Sequence, residues 1–98
     1  MIRDEIAEIN PEALLLDGFD EAIIGMAERI NLGPIIAYDV EKIIEILANN
    51  MEVEEDDLVD DQSIEELKIS MAYDYFDFNI QGAWMGENTP IFISKLQN

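Results

Sequence analysis

The sequence predicts a single α+β domain in which three to four helices pack on a short two-stranded sheet. The chain has 98 residues, enough for one hydrophobic core but not for two. Hydrophobic residues make up 49% of the chain, the proportion expected of a globular protein. Segments with helical spacing alternate with short β-branched runs. Residues 1–98 are therefore expected to form one acidic domain.

A short amphipathic helix is predicted at the N-terminus. Ile2, Ile6 and Ile9 recur at the spacing of one helical face. Asn10 and Pro11 would end this helix, and the apolar run at positions 13–16 would continue into the core.

A longer helix is predicted over Phe19–Asn31. Apolar residues at positions 19, 22, 23, 26, 27 and 30 follow the spacing of a buried helical face. Asp17 or Asp20 would cap the start of the helix. Gly33 followed by Pro34 is the expected stop signal.

A strand and a further helix are predicted next. The β-branched run Pro34–Tyr38 favours a strand. Asp39 is a candidate N-cap for a helix that would close near Asn49 and Asn50. Helical spacing supports this helix at Val40, Ile43, Ile44 and Leu47.

The central helix of the domain is predicted from Ser63 to about Gln81. Ser63 is a candidate N-cap, with Glu66 in the capping-box position. Two apolar stripes have helical spacing, namely Ile64, Leu67, Met71, Tyr75 and Phe78, and Ile69, Tyr73, Phe76 and Ile80. Only a narrow polar stripe is left, made of Glu66, Ser70, Asp74, Asp77 and Gln81.

The C-terminal region is predicted to form a turn and a final strand. Gly82, Gly86 and Pro90 mark the turn region, and Ile91–Ser94 reads as a strand whose candidate partner is the run 35–38. Trp84 lies in this turn region. An exposed tryptophan there could anchor a partner, but folding of the ring back onto the core is the favoured interpretation.

The charge excludes several classes of function. The chain has 23 acidic and 5 basic residues and a formal net charge of -18, which disfavours binding to phosphate backbones and to anionic lipid. It has no cysteine and no histidine, which removes the usual nucleophile, base and metal ligands. We therefore predict no enzyme activity, no cofactor, no direct nucleic-acid binding and no membrane association. With no signal peptide apparent, we expect a cytoplasmic location.

A dense acidic run is the candidate partner-binding site. The span from Glu52 to Glu66 contains nine acidic residues and no basic residue. Six of these acids and the tryptophan are the predicted partner-binding residues: Glu54, Glu55, Asp56, Asp57, Asp60, Asp61 and Trp84. The run does not form an EF-hand loop, because Leu58 and Val59 occupy its fifth and sixth places and the required glycine is missing. A purely solvated, solubilising role for the acids is the competing interpretation.

The total charge suggests one specific form of partner binding. Eighteen charges correspond to about 31 Å of duplex DNA, and a sphere of this chain length is about 33 Å across. A DNA-mimic inhibitor that occupies the basic groove of a nucleic-acid-binding protein is therefore one hypothesis.

A catalytic pair of carboxylates is the weaker interpretation of Asp74 and Asp77. The two residues lie about one helical turn apart among aromatic residues. They also lie on the polar stripe of the predicted helix, which favours a solvated role.

Three blocks of the sequence resemble a family of small uncharacterised proteins of tailed bacteriophages. The blocks are LLLDGFDEAIIG, YDVEKIIEIL and YFDFNIQGAWMGENTPIF. The resemblance covers about 80 residues and implies a phage origin and the host cytoplasm, but no reaction or cofactor. The stretch 51–63 looks longer and more acidic than in that family.

These observations lead to one functional hypothesis and one alternative. The hypothesis is a non-enzymatic phage accessory protein that binds a host or phage protein through an acidic surface. The alternative is a structural or assembly protein that oligomerises through apolar surface around Trp84 and the C-terminal strand, without mimicry.

Overall fold

A computed structural model describes residues 2–54 and 63–96 of the chain. In this part of the chain, three α-helices and three strands follow one another in mixed order. Helix α1 covers Ile2–Ile9, and a 3₁₀ turn at Asp20–Ala22 leads into strand β1, Ile23–Arg29. Strand β2 is Leu32–Asp39, helix α2 is Val40–Asn49, and helix α3 is Ile64–Tyr75. A π-helix, Phe76–Gln81, extends α3, and strand β3 is Ile91–Ile93.

The sheet has three strands, so the prediction of two strands is wrong. The order is β1-β2-β3, with β2 in the centre. Strand β3 pairs with β2, as the sequence suggested, and the structure adds that the pairing is parallel, with Tyr38 opposite Phe92. The additional strand is β1, which pairs with β2 in antiparallel fashion and places Met26 opposite Ile36.

The third strand arises where a helix was predicted over Phe19–Asn31. A two-residue turn joins β1 to β2, and Asn31 in that turn adopts a positive φ of 62°, a conformation that asparagine adopts more readily than most residues. The apolar spacing of this segment fits a helix, but Gly25 would weaken the interior of that helix. Pairing with β2 provides backbone hydrogen bonds in place of those that a helix would form. Gly33 and Pro34 lie inside β2 and do not end a helix.

The predicted helix starts at Asp39 and Ser63 are confirmed. A side-chain oxygen of Asp39 accepts a hydrogen bond from the Glu41 amide at 3.1 Å. The Ser63 hydroxyl oxygen accepts one from the Glu66 amide, also at 3.1 Å. Each bond satisfies an amide that the first helical turn would leave unpaired.

Most residues of the buried core belong to the central strand and to helix α2. Tyr38, Ile36 and Ile43 are the largest side chains with no appreciable exposure. The ring of Phe92 from β3 packs near Tyr38 and meets Phe76 edge to face, with 5.2 Å between the Phe76 and Phe92 centroids. The short third strand is therefore fixed to the core by aromatic contacts as well as by its backbone.

Helix α3 lies on the surface, so the prediction that it is central is wrong. Its one buried residue is Ala72, and Phe76 is buried in the π-helix that follows. Residues from both predicted apolar stripes are exposed, namely Ile69, Met71, Tyr73, Tyr75 and Phe78. A domain of this size does not bury two faces of a helix that lies at its edge.

Candidate binding surfaces

The structure describes two of the seven predicted partner-binding residues, Glu54 and Trp84. Glu54 is exposed at the end of the first described part of the chain. The other five acids, Glu55, Asp56, Asp57, Asp60 and Asp61, lie outside the described residues. Trp84 is 76% exposed. The interpretation that its ring folds back onto the core is therefore wrong.

A fixed turn carries Trp84 and its neighbour Met85. The Met85 amide donates a hydrogen bond to the Thr89 hydroxyl at 2.8 Å, and that hydroxyl donates to the Gly86 carbonyl at 2.8 Å. Gly86 has a φ of 102°, a conformation that glycine adopts without strain. The turn holds both side chains outward, since Met85 is 65% exposed.

The π-helix presents a second aromatic ring. Phe78 is 84% exposed, while Phe76 on the same short helix is buried. Where α3 passes into the π-helix, the side-chain amide of Asn79 donates a hydrogen bond to the Tyr75 carbonyl at 3.3 Å. A Cβ on Gly82 would approach the Asp77 carbonyl oxygen to 3.1 Å, which explains a glycine at the end of this helix.

We call residues 78–85 the aromatic segment. Its exposed apolar side chains are Phe78, Trp84 and Met85, and exposed carboxylates flank it at Asp77 and Glu87. Large apolar side chains are usually covered in a monomer. The aromatic segment thus carries three uncovered apolar side chains, with exposed carboxylates beside them in the sequence.

The loop after the aromatic segment is tied to the start of the sheet. The Arg29 guanidinium donates hydrogen bonds to the carbonyls of Gly33 and Glu87. The Leu14 amide donates to the Asn88 carbonyl at 3.1 Å. The contacts of Glu87 and Asn88 hold the loop against two separate parts of the chain, so the loop needs little further ordering when a partner binds.

A side-chain amide at the end of α1 adds to this connection. The Asn10 amide nitrogen donates to the Pro34 carbonyl at 2.8 Å and approaches the Asn88 side-chain oxygen at 3.4 Å. A Cβ on Gly33 would lie 2.8 Å from that nitrogen. A side chain at position 33 would therefore have to displace the Asn10 amide, a contact that the interpretation of Gly33 as a stop signal did not foresee.

A cleft lies between α2 and α3, and we call it the helix cleft. Its volume is about 490 Å³. Its apolar lining is Ile44, Ala48, Ile69 and Tyr73, and its polar lining is Glu41, Glu45, Asn49, Glu65 and Lys68. An open groove with an apolar floor and an acidic rim can hold an apolar side chain with positive charge beside it.

The phenol of Tyr38 is a buried ionisable group with a structural role. The Tyr38 hydroxyl accepts a hydrogen bond from the Leu16 amide at 2.8 Å, and burial raises the pKa of this phenol.

Arg3 binds both oxygens of Asp20, at 2.8 and 2.9 Å. These hydrogen bonds raise the pKa of Arg3 and lower the pKa of Asp20. Asp17 lies 3.6 Å from the same guanidinium. The Arg3–Asp20 pair therefore connects α1 to the 3₁₀ turn, and neither Asp17 nor Asp20 caps a long helix.

The described residues do not form the catalytic carboxylate pair or a metal site. Asp74 and Asp77 are both exposed, as the solvated interpretation predicted. In residues 2–54 and 63–96 no three acidic side chains come together as a metal site. Nor does any helix in these two ranges have the length and apolar character needed to cross a bilayer.

Two features of these surfaces were missed by sequence reasoning. Phe78 was assigned to a buried stripe, although two apolar stripes on one helix of a small domain already signalled that one of them is exposed. The helix cleft has no sequence motif, because its walls belong to helices that are distant in sequence and meet only in the fold.

Comparisons with known proteins do not add an identity. No protein-family model, no curated protein and no solved structure matches the chain. The functional argument therefore rests on the aromatic segment, the helix cleft and the charge.

Proposed function

We propose that this protein is a non-enzymatic binding protein whose partner is a basic protein held at the aromatic segment. The observation that carries the proposal is the exposure of Phe78 and Trp84 on a fixed part of the fold. Tryptophan and other aromatic residues dominate the energetics of protein interfaces when they are desolvated.

The energy of the two rings shows why charge is also needed. Covering both rings removes on the order of 300 Å² of apolar surface, a gross gain of about 7 kcal/mol. Association costs about 4–15 kcal/mol in lost freedom of motion. The rings alone therefore do not give stable binding. Asp77 and Glu87 beside the rings, and the net charge of -18, favour a partner whose surface is positive.

The fluorescence of Trp84 tests the proposal directly, because it is the only tryptophan of the chain. Basic proteins captured from a bacterial lysate are identified and titrated against the pure protein. Partner binding is expected to shift the Trp84 emission to shorter wavelength, since the ring leaves water. A tight complex that leaves the Trp84 emission unchanged would count against the aromatic segment.

Alanine variants distinguish specific binding at the aromatic segment from nonspecific binding to exposed apolar residues. Phe78→Ala and Trp84→Ala are expected to weaken binding by about tenfold or more each. Ile30→Ala is the matched control, because Ile30 is equally exposed at the tip of the hairpin. Equal loss in all three variants would contradict the proposal.

Self-association is the second candidate function, and the edge of the sheet favours it. Strand β3 lies at the edge, and Ile91, Ile93 and Leu96 are exposed on or after it. Two copies would bring like charges of -18 together, so their association should strengthen as salt screens the repulsion. Binding of a basic partner should weaken between 50 and 500 mM salt. Sedimentation at both salt concentrations distinguishes the two functions.

DNA mimicry is a narrower form of the proposal. The principal extents are 52 × 29 × 25 Å, which is longer than the sphere assumed from chain length. If the whole formal charge of -18 were spread along the 52 Å axis, the protein would carry about one charge per 2.9 Å. A DNA duplex carries about one charge per 1.7 Å, so the charge density of the protein is lower than that of DNA. The resemblance to small phage proteins would place the partner in an infected bacterial cytoplasm.

A further inference from the structure

We infer that the helix cleft is a second docking site, and that its occupant is a basic amphipathic helix of a partner protein. This inference goes beyond the aromatic segment, because the cleft lies between α2 and α3 and shares no lining residue with residues 78–85.

The dimensions of the cleft fit a short helix. Its lining residues run from Glu41 to Asn49 on α2 and from Glu65 to Tyr73 on α3. Each run spans about 12 Å along its helix, or about two turns. Side chains at positions i and i+4 of a bound helix are about 6 Å apart along its axis, so two of them fit this length.

The walls of the cleft favour a helix over an extended peptide. Both walls are helices whose backbone groups already bond within the helix, so they offer no row of partners to a strand. A bound segment must therefore satisfy its own backbone hydrogen bonds, which a helix does. Such a helix can place an apolar side chain against Ile69 and Tyr73, which are about half exposed.

The charge of the rim selects the sign of the occupant. The charged lining residues are three glutamates, Glu41, Glu45 and Glu65, and one lysine, Lys68. Lys42 lies 3.3 Å from Glu45 and pairs with it. Basic residues on the occupant would approach Glu41 and Glu65, so the complementary helix carries lysine or arginine beside its apolar face.

The chain's own helices do not fit this description. Helices α1, α2 and α3 each contain a single basic residue, respectively Arg3, Lys42 and Lys68. A second copy would therefore place carboxylates against the acidic rim. A helix of a different, basic protein is the occupant that the charges favour.

A designed peptide provides the probe. We use a labelled 14-residue peptide of leucine and lysine with leucines at i, i+3, i+4 and i+7, and measure binding by fluorescence anisotropy. The control peptide has the same composition in an order that scatters the leucines around the helix. The amphipathic peptide is expected to bind at least tenfold more tightly than the scattered one. Equal affinity, or no binding of either peptide, would overturn the inference.

Variants with matched charge separate the cleft from the general negative potential. Glu41→Gln with Glu65→Gln is expected to weaken peptide binding about fivefold, whereas Glu8→Gln with Glu28→Gln, at exposed positions away from the cleft, removes the same charge with a smaller effect. Ile69→Ala is expected to cost about tenfold, and Ile24→Ala, exposed on β1, is its control. Equal losses in the paired variants would overturn the inference. Trp84→Ala should leave peptide binding unchanged, so the cleft can fail or succeed independently of the aromatic segment.

Discussion

Helices α2 and α3 pack side by side but differ in how they use their apolar residues. Helix α2 buries Val40, Ile43, Ile44 and Ala48 in the hydrophobic core. Helix α3 buries only Ala72 and leaves Ile69, Met71, Tyr73 and Tyr75 at least 40% exposed. The apolar residues of α2 therefore stabilise the fold, whereas those of α3 are available to a partner. This difference predicts that mutations in the two helices separate stability from binding.

Truncation of Ile43 should have the largest effect on stability. Its side chain is completely buried in the core, so Ile43→Ala loses packing and leaves a cavity. We expect a loss of about 2–5 kcal/mol in the free energy of unfolding, measured by urea denaturation. Ile43→Val, which should cost about 0.5–1.5 kcal/mol, gives a measurable value if the alanine variant does not fold. A cost below these ranges for both variants would show that α2 does not form the core.

Removal of the Tyr38 hydroxyl should have the next largest effect. Tyr38→Phe leaves the Leu16 amide without its partner, at a cost of about 1–3 kcal/mol. Tyr75→Phe, on the exposed side of α3, controls for the loss of a hydroxyl and should leave stability nearly unchanged at neutral pH.

The pH dependence of Tyr38 gives a further test of its burial. Because burial raises the pKa of this phenol above 10.0, the folded state holds the proton more tightly than the unfolded state. The contribution to stability is fully present below pH 10 and is lost as pH rises through the higher folded pKa. Urea midpoints measured from pH 8 upward should fall in the native protein above pH 10. The part of this fall due to Tyr38 should be missing in Tyr38→Phe, and an identical slope in both proteins would contradict the assignment.

The pair between Arg3 and Asp20 should contribute a smaller, acid-sensitive effect. The hydrogen bonds from Arg3 hold the pKa of Asp20 below its ordinary value of 3.8. The stabilisation is present above that value and is lost as pH falls through the lower folded pKa. Asp20→Asn should remove this acid-dependent loss and shift the urea midpoint slightly at pH 7. Glu21→Gln, an exposed neighbour, removes the same charge, and an equal shift in both variants would argue against a specific pair.

Local signals in the sequence predicted the starts of α2 and α3 and the pairing of β3 with β2. A cap such as Asp39 or Ser63 bonds to amides two or three residues away, so its effect is visible in the sequence itself. Strand β1 was missed because helical apolar spacing and strand pairing compete, and its pairing with β2 is a tertiary contact. For a related reason, the exposure of Phe78 was missed and the exposure of Trp84 was only the less favoured alternative. Spacing identifies an apolar face, but only the fold shows whether another element covers it.

Truncation of exposed residues on α3 should have the smallest effect on stability. Met71→Ala removes a side chain that is exposed and belongs to no part of the buried core. Alanine has the highest helix propensity, so the free energy of unfolding should change by less than about 0.5 kcal/mol. Urea denaturation beside Ile43→Ala checks this expectation within one experiment. A loss above about 1 kcal/mol would mean that α3 is a second core helix. Its exposed apolar residues would then be explained by the stability of the fold, and their availability to a partner would lose its main physical support.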